Sequence, residues 1–305
     1  MSTLVAKKKK THLHEGSPVA TVIMYVVAAF AALICLYPMW YVFCNSISDV
    51  AAVDSQKVWL YPIGFSIDAY KVIVVEDQLW RAYGMTIFYV VGSVLMMLCF
   101  CLLAAYPLTC RNMIGRKLVT LYFMIPMYFG AGLIPTYLTY RTYGFVDNIF
   151  TMIICHGYSI WYTILTRTYL LSIPEALRDS AKIDGANHFR TLFSILMPLA
   201  KPIIAVIAIY TVINVWNGWM TASLYILDKK LQPLQLYLRR VLVNATEKPG
   251  IGSSPSELAY LEQLRFNNVG LQYAMIIFTT LPVIMVYPFF QKYFVKGVMV
   301  GSVKG

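Results

Sequence analysis

Long stretches without a single Asp, Glu, Lys or Arg alternate along this chain with short polar segments. Six such runs, 19–48, 82–110, 118–140, 148–166, 202–227 and 266–291, each approach or exceed the ~20 residues that a helix needs to cross hydrocarbon. Backbone polar groups in lipid must find partners within the segment, and barrel strands are about half as long and alternate in polarity. The runs therefore predict six transmembrane helices and an all-α integral membrane protein. The polar punctuation divides the chain into a basic tail (1–18), a first helix with its following loop (19–81), a five-helix core (82–291) and a closing tail (292–305). No polar segment exceeds about forty residues, so no soluble second domain is expected, and there is no internal repeat.

Between the fourth and fifth runs the pattern changes. Ser172 and Glu175 stand three apart with Pro174 between them, a capping-box spacing that predicts a short charged helix from about Ile173. Gly185 is placed to end it. A second helix is expected from about Asn187, with Phe189, Leu192, Phe193, Leu196 and Met197 as an apolar stripe, before Pro198 and Pro202 punctuate the approach to the fifth run.

Composition agrees with the membrane class: 59% of the 305 residues are hydrophobic, 13% are charged, and the mean hydropathy is +0.64. The run 19–48 follows Lys7-Lys8-Lys9-Lys10 like a signal peptide, but it is too long for an h-region and no convincing small-residue cleavage site accompanies it. Segments 1–18, 111–117, 167–201 and 292–304 carry 15 basic and 4 acidic residues, whereas 49–81, 141–147 and 228–265 carry 10 of each. The positive-inside rule then places both termini and the 173–198 hinge in the cytoplasm. The whole formal charge of +11 lies on that side, where anionic lipid and topology explain it, so no nucleic-acid partner is expected.

The chemistry of catalysis is missing from the pattern. Cysteines 35, 44, 99, 101, 110 and 155 have no metal-ligand spacing, no metal site is expected, and they are assigned to packing. His156 has no carboxylate in any run to orient it, and Ser159 has no further partner, so a packing histidine is the expectation. No G-x-x-x-x-G-K-[ST] phosphate loop occurs, and the runs hold none of the acidic or basic side chains that ion-coupled carriers use. The chain is expected to be no enzyme and to draw energy from a separate subunit.

The hinge resembles the hallmark loop of the membrane-spanning permease subunits of bacterial ABC importers. That loop reads Glu-Ala-Ala, three residues, Gly, nine residues, Ile, any residue, Leu-Pro. Here Asp179-Ser180-Ala181, Gly185, Ile195 and Met197-Pro198 keep every spacing, with Asp for Glu, Ser for the first Ala and Met for Leu. Other segments are similar to the carbohydrate-uptake branch. Pro62-Ile63-Gly64-Phe65-Ser66 followed by Tyr70 resembles the outer segment of sugar permeases. Residues 132–137, 234–239 and 291–305 resemble the polysaccharide and lipoprotein-type (LplC-like) members.

The resemblance implies a type I ABC importer permease fold in a bacterial inner (cytoplasmic) membrane, crossing it several times in contact with membrane lipid. It also implies a second permease subunit in a heterodimer, two ATPase subunits and an extracytoplasmic solute-binding protein. Such a chain binds no cofactor; ATP and Mg sit on the partner ATPase. A coupling helix at 173–186 would contact the ATPase through Glu175, Asp179, Ser180, Ala181, Asp184, Gly185 and Pro198, and the tail would approach it through Gly301, Lys304 and Gly305. Arg178 and Lys182 are expected to face lipid phosphates or solvent.

The fifth run carries Asn214, Trp216, Asn217 and Trp219, polar and aromatic enough to line a sugar pathway; interface anchoring and helix packing remain the alternatives. The long outer loop 228–265 is expected to meet the binding protein, with a short helix over Ser256–Arg265. The function implied is half of the translocation pathway for an oligosaccharide or polysaccharide-derived sugar. The alternative is an ion-coupled secondary carrier or a permease for a non-sugar solute.

Overall fold

The computed structural model describes residues 18–246, 270–285 and 288. Every regular element among them is a helix, and the one strand-like contact is an isolated antiparallel bridge between Ser48 and Phe65. Helix α1 spans Pro18–Ser46, followed by two short helices, α2 (Val50–Asp54) and α3 (Asp68–Val75). Helix α4 (Asp77–Ala105) is prolonged by a 3₁₀ turn at Pro107–Thr109. Among the described residues, these two long helices, α1 and α4 with its turn, are the unbroken ones long and apolar enough to cross a membrane.

The third, fourth and fifth apolar runs are helical but interrupted. The third becomes α5 (Arg116–Tyr128) and α6 (Leu133–Thr142), bent by 112°. Pro126 removes a backbone donor near the end of α5, and Gly132 turns the chain at φ +84°. The fourth becomes α7 (Thr151–His156) and α8 (Ile160–Ser172), and Ser159 caps α8 by accepting from Tyr162 N at 3.4 Å. Next come α9 (Ala176–Ile183) and α10 (His188–Leu199). The fifth run divides at Asn217–Gly218 into α11 (Lys201–Trp216) and α12 (Trp219–Tyr225). Helix α13 (Leu234–Thr246) and the apolar α14 (Gly270–Met285) complete the described chain.

Helix α4 is the axis of the core. Its buried face is Leu79, Ala82, Thr86, Tyr89, Ser93, Met97, Cys101 and Ala105, recurring every three or four residues, while Ile87, Val91, Leu95 and Leu103 are exposed. Most of that inward face is small or hydroxyl-bearing and the outward face is large and aliphatic. Such an arrangement suits lipid, where burying leucine gains little and close approach and hydrogen bonds hold helices together. Met97 and Cys101 pack with Leu170 of α8, Leu192 and Leu196 of α10, and Ile203 and Ile207 of α11. Nearer its start, Leu79 packs with Ile73, Leu234, Leu238 and Ala274.

Polar cross-links reinforce this axis. Thr86 Oγ1 accepts from Leu234 N at 2.8 Å and so caps α13 from another helix; Tyr89 donates its hydroxyl to Leu231 O at 2.8 Å. The segment that resembles the outer region of sugar permeases folds over the end of α1: Tyr70 donates to Ser46 Oγ at 2.8 Å, and Asp49 N donates to Ile63 O at 3.0 Å. The basic tail 1–17, the loop 247–269 with its expected Ser256–Arg265 helix, and the tail residues Gly301, Lys304 and Gly305 lie outside the described residues.

Gly157, at the break between α7 and α8, is locked by its neighbours. A Cβ there would lie 2.5 Å from Ile153 O and 2.6 Å from Met96 Sδ. Replacing Gly157 by Ala is expected to destabilise the core by about 2 kcal/mol through overpacking. The check is the thermal unfolding midpoint of the detergent-purified protein; an unchanged midpoint would show that the break relaxes freely.

Candidate functional site

Two regions gather the residues singled out from sequence: the α9–α10 hairpin, and the break between α11 and α12. In the hairpin, the expected capping box does not form. Ser172 ends α8, where its hydroxyl donates to Tyr169 O at 2.7 Å, and α9 begins three residues after the predicted start with no side-chain cap from Glu175. Glu175 instead pairs with Arg111 at 2.5 Å, across to the segment that follows α4. Both side chains are substantially exposed, at 46% and 77%, so the pair contributes at most about 1 kcal/mol.

The end of α9 matches its sequence signals. Gly185 takes φ +75°, Gly185 N donates to Lys182 O at 3.0 Å and Ala186 N to Ala181 O at 2.9 Å, the two bonds of a Schellman cap. Asn187 then caps α10 by accepting from Arg190 N at 2.8 Å. Residues Thr191–Leu196 of α10 wind as a π-helix. The expected stripe is split: Leu192 and Leu196 are buried, whereas Phe189 and Phe193 remain exposed and stack at 6.5 Å. Pro198 lies in the last turn of α10, just before the chain bends by 81° into α11.

On α9, Ala181 faces inward, 3% exposed, while Asp179, Ser180, Lys182 and Asp184 face out. Asp179, Lys182 and Asp184 form no ion pair among the described residues. Arg178 departs from its expected place at lipid or solvent. Its guanidinium turns toward the membrane-spanning part and donates to Thr109 Oγ1 at 3.0 Å and to Leu170 O at 2.6 Å. The reason is geometric: five donors in a planar fork can satisfy two helix ends at once. Beside it, a cleft of about 540 Å³ opens between α9, the start of α10 and residues 106–112, lined in part by Arg111, Asp179, Lys182 and His188.

At the second region, α11 ends at Trp216, and Trp219 N donates back to Asn217 O at 2.8 Å across Gly218. Asn214 and Asn217 are exposed on this element and Trp219 is half-buried. Trp216 is turned inward, 7% exposed, donating Nε1 to Thr279 O at 3.2 Å and meeting Tyr83 edge to face. Its place is in helix packing, whereas the sequence put it on the sugar path, with interface anchoring as the alternative for a tryptophan. His156 points at the break: a Cβ on Gly218 would stand 3.2 Å from its Nε2, while its Nδ1 lies 3.0 Å from Met152 O. Over the ring of Trp219 lies Arg239 of α13, its Cζ 4.0 Å from the ring centroid. No group of three or more His, Cys, Asp or Glu able to hold a metal occurs among the described residues.

Residues 89–300 match the family described as binding-protein-dependent transport system inner membrane component. The chain belongs to that family. It is therefore a membrane protein and a transport permease. The permease is 34% identical over 280 residues to the polygalacturonan/rhamnogalacturonan transport system permease protein YtcP of Bacillus subtilis (strain 168), covering 90% of this chain and 94% of that one. It is 33% identical over 272 residues to Protein LplC of the same organism, covering 89% and 90%. In structure it is similar, with a TM-score of 0.82 and 32% identity over 92% of this chain and 99% of the other, to a crystallised bacterial ABC transporter involved in the import of the acidic polysaccharide alginate. The type I importer permease fold and the kinship with carbohydrate permeases, both implied by sequence resemblance, are thereby shown.

Sequence reasoning missed the 106–112 side of the permease's cleft. Tyr106, whose hydroxyl lies 2.9 Å from His188 Nδ1, and Thr109 sit at the end of an apolar run and look like span residues. The available signal was Pro107 near the boundary with Arg111, which marks a chain reversal at the membrane surface.

Arg178 is the side chain that ties α9 to the ends of two membrane helices. Arg178→Ala is expected to lower the local stability of the hairpin by about 2 kcal/mol, since charge-assisted hydrogen bonds are lost. Arg178→Lys should recover only part, lacking the fork. Hydrogen exchange of the amides at 176–186 measures this; protection equal to wild type would show that other contacts hold the hairpin.

Proposed function

We propose that this permease forms half of the translocation pathway of an ATP-driven importer for oligosaccharides or polysaccharide-derived sugars. The observation that carries the coupling part is the α9–α10 hairpin. It is capped at Gly185 and Asn187, anchored inward by Arg178, and presents Asp179, Ser180 and Asp184 outward. A surface helix whose Asp179 and Asp184 pair with no base among the described residues, fixed to the ends of α4 and α8, suits a partner that must move those ends together. The carbohydrate part is supported by the likeness to permeases named for polygalacturonan/rhamnogalacturonan and to an importer of alginate.

In this reading the chain crosses the membrane six times, through α1, α4, α5 with α6, α7 with α8, α11 with α12, and α14, with both termini in the cytoplasm. A second permease completes a heterodimer, two ATPase subunits dock from the cytoplasm, and a solute-binding protein delivers sugar from outside. A structure of the bacterial alginate ABC transporter in complex with its alginate pentasaccharide-bound periplasmic protein, to which this chain is 18% identical at a TM-score of 0.55, shares the fold. The permease itself is non-catalytic and binds no cofactor; ATP and Mg belong to the ATPase. Closure of the ATPase pair on ATP shifts the balance between two packed states of the spans, so coupling is differential binding.

Within the hairpin, Asp179 takes the main charged contact, because Glu175 is already paired to Arg111. Ala181 and Gly185 keep the helix compact, and Pro198 with the 81° bend leads the motion into α11. Gly301, Lys304 and Gly305 approach the ATPase from the tail. Asn214, Asn217 and Trp219 line the sugar path, and Trp216 steadies that element from behind.

Two experiments test the two halves of this proposal. Asp179→Lys combined with Gly185→Val reverses the docking charge and puts a β-branched residue at φ +75°. Uptake in reconstituted vesicles should be abolished while membrane insertion stays intact, and wild-type transport by that variant would sink the coupling assignment. Asn217→Ala with Trp219→Ala should alter the sugar dependence of ATPase stimulation. An unchanged dependence assigns both residues to packing.

A further inference from the structure

The break that exposes Asn217 also places an unusual cation. Arg239 lies over the ring of Trp219 with Cζ 4.0 Å from the centroid, and the residue is exposed. The two ion pairs among the described residues lie elsewhere: Arg111 with Glu175, and Lys71 with Asp68, whose carboxyl the Lys71 hydrogen bond holds below its ordinary range. No carboxylate among the described residues pairs with Arg239.

Two acids of the adjoining loops are committed to backbone: Asp147 Oδ1 accepts from Leu227 N at 2.5 Å and Asp228 N at 2.8 Å, and Asp228 Oδ1 accepts from Lys230 N at 2.8 Å. Glu76 lies near Tyr237 of α13 and forms no ion pair with Arg239. Between residues 226 and 246 the bases are Lys229, Lys230, Arg239 and Arg240, and the one acid is Asp228. On the face that charge distribution makes extracytoplasmic, Arg239 is thus a cation held by an aromatic ring and by no carboxylate among the described residues.

Stacking on an indole restrains the guanidinium without using its in-plane N–H donors. Those donors match a carboxylate in bidentate geometry, whereas sugar hydroxyls alone need no cation. We propose that Arg239, steadied by Trp219, recognises the carboxylate of uronate-bearing oligosaccharides at the outer mouth of the pathway. The proposal rests on the reading of the chain as an oligosaccharide-import permease and adds the substrate's charge and the residue that reads it.

The test uses the complete importer, with its second permease, ATPase subunits and binding protein, in proteoliposomes. The probes are oligogalacturonates and alginate oligosaccharides, each beside its carboxyl-reduced, uncharged form. Wild type is expected to take up at least one uronate probe. In Arg239→Gln, its uptake at subsaturating concentration should fall about tenfold, the loss expected for one charge-assisted contact. Arg239→Lys should recover part, and uptake of the reduced probe should be the same in wild type and variant. Because every variant uses the same binding protein, the selectivity of that protein cancels.

The salt sensitivity of uronate uptake should also weaken in Arg239→Gln, and its thermal midpoint should match wild type, since the side chain is exposed. An equal loss on charged and reduced probes would overturn the proposal and make Arg239 a contact for the binding protein. So would an unchanged rate on the uronates, or a wild-type importer that moves neutral oligosaccharides alone; this last result leaves the import reading standing. A preparation that moves no saccharide of any kind overturns the import reading and this proposal together.

Discussion

A helix in hydrocarbon gains almost nothing by burying a leucine, and this constraint shapes the inward face of α4. Ala82, Thr86, Ser93, Cys101 and Ala105 let neighbouring helices come close, and Thr86 and Tyr89 extend hydrogen bonds to the chain around α13. Large aliphatic residues are left on the outside, where lipid accepts them. Because α4 is unbroken and contacts α8, α11 and α13, the other elements can be interrupted without the bundle losing its axis. The breaks at 157–159 and 217–218 both occur in elements packed against it.

The hairpin depends on the same axis at its far end. Thr109 belongs to the turn that prolongs α4, and Leu170 to the last turns of α8; Arg178 holds both from α9. Buried Leu192 and Leu196 then fasten α10 to the cluster containing Met97 and Cys101. The hairpin is thus joined to the spans by one polar clamp and one apolar seam, and α9 is left with an outward face rich in charge. The clamp, the cap at Gly185 and the seam restrict different motions of that surface.

Much of this was legible in the sequence. The charge-free runs located every long apolar element, because a charge in lipid is costly enough to leave a clear signal. Gly185 and Asn187 announced their caps because few residues satisfy those backbone positions, and the spacing from Asp179 to Pro198 carried the family. The capping box at Ser172 failed since α8 extends through that residue and its hydroxyl is used inside α8. Arg178 was misplaced because its partners, Thr109 and Leu170, come from segments far off or behind it in sequence, and no local pattern encodes such a meeting. Runs of apolar residues also conceal breaks: Gly157 and Gly218 cost nothing in hydropathy, yet the first ends α7 and the second stands between α11 and α12. Trp216 and Trp219 are three apart with a turn between them, so a helical wheel cannot foretell that one faces inward and the other carries Arg239.

The placement of the breaks gives the bundle a division of labour. A displacement imposed on α9 reaches the ends of α4 and α8 through Arg178, but α4 is continuous and resists bending. Strain must therefore collect where backbone hydrogen bonding is already interrupted, between α7 and α8 and between α11 and α12. Those two breaks face each other, with His156 Nε2 against Gly218. The exposed Asn217 and the Trp219–Arg239 pair flank that junction, so the residues proposed to meet sugar sit where the fold can move most cheaply. A pathway that must open to one side and then the other is best lined at such a junction: there a small shift at the hairpin changes which side chains face the opening, and the core around α4 need not repack.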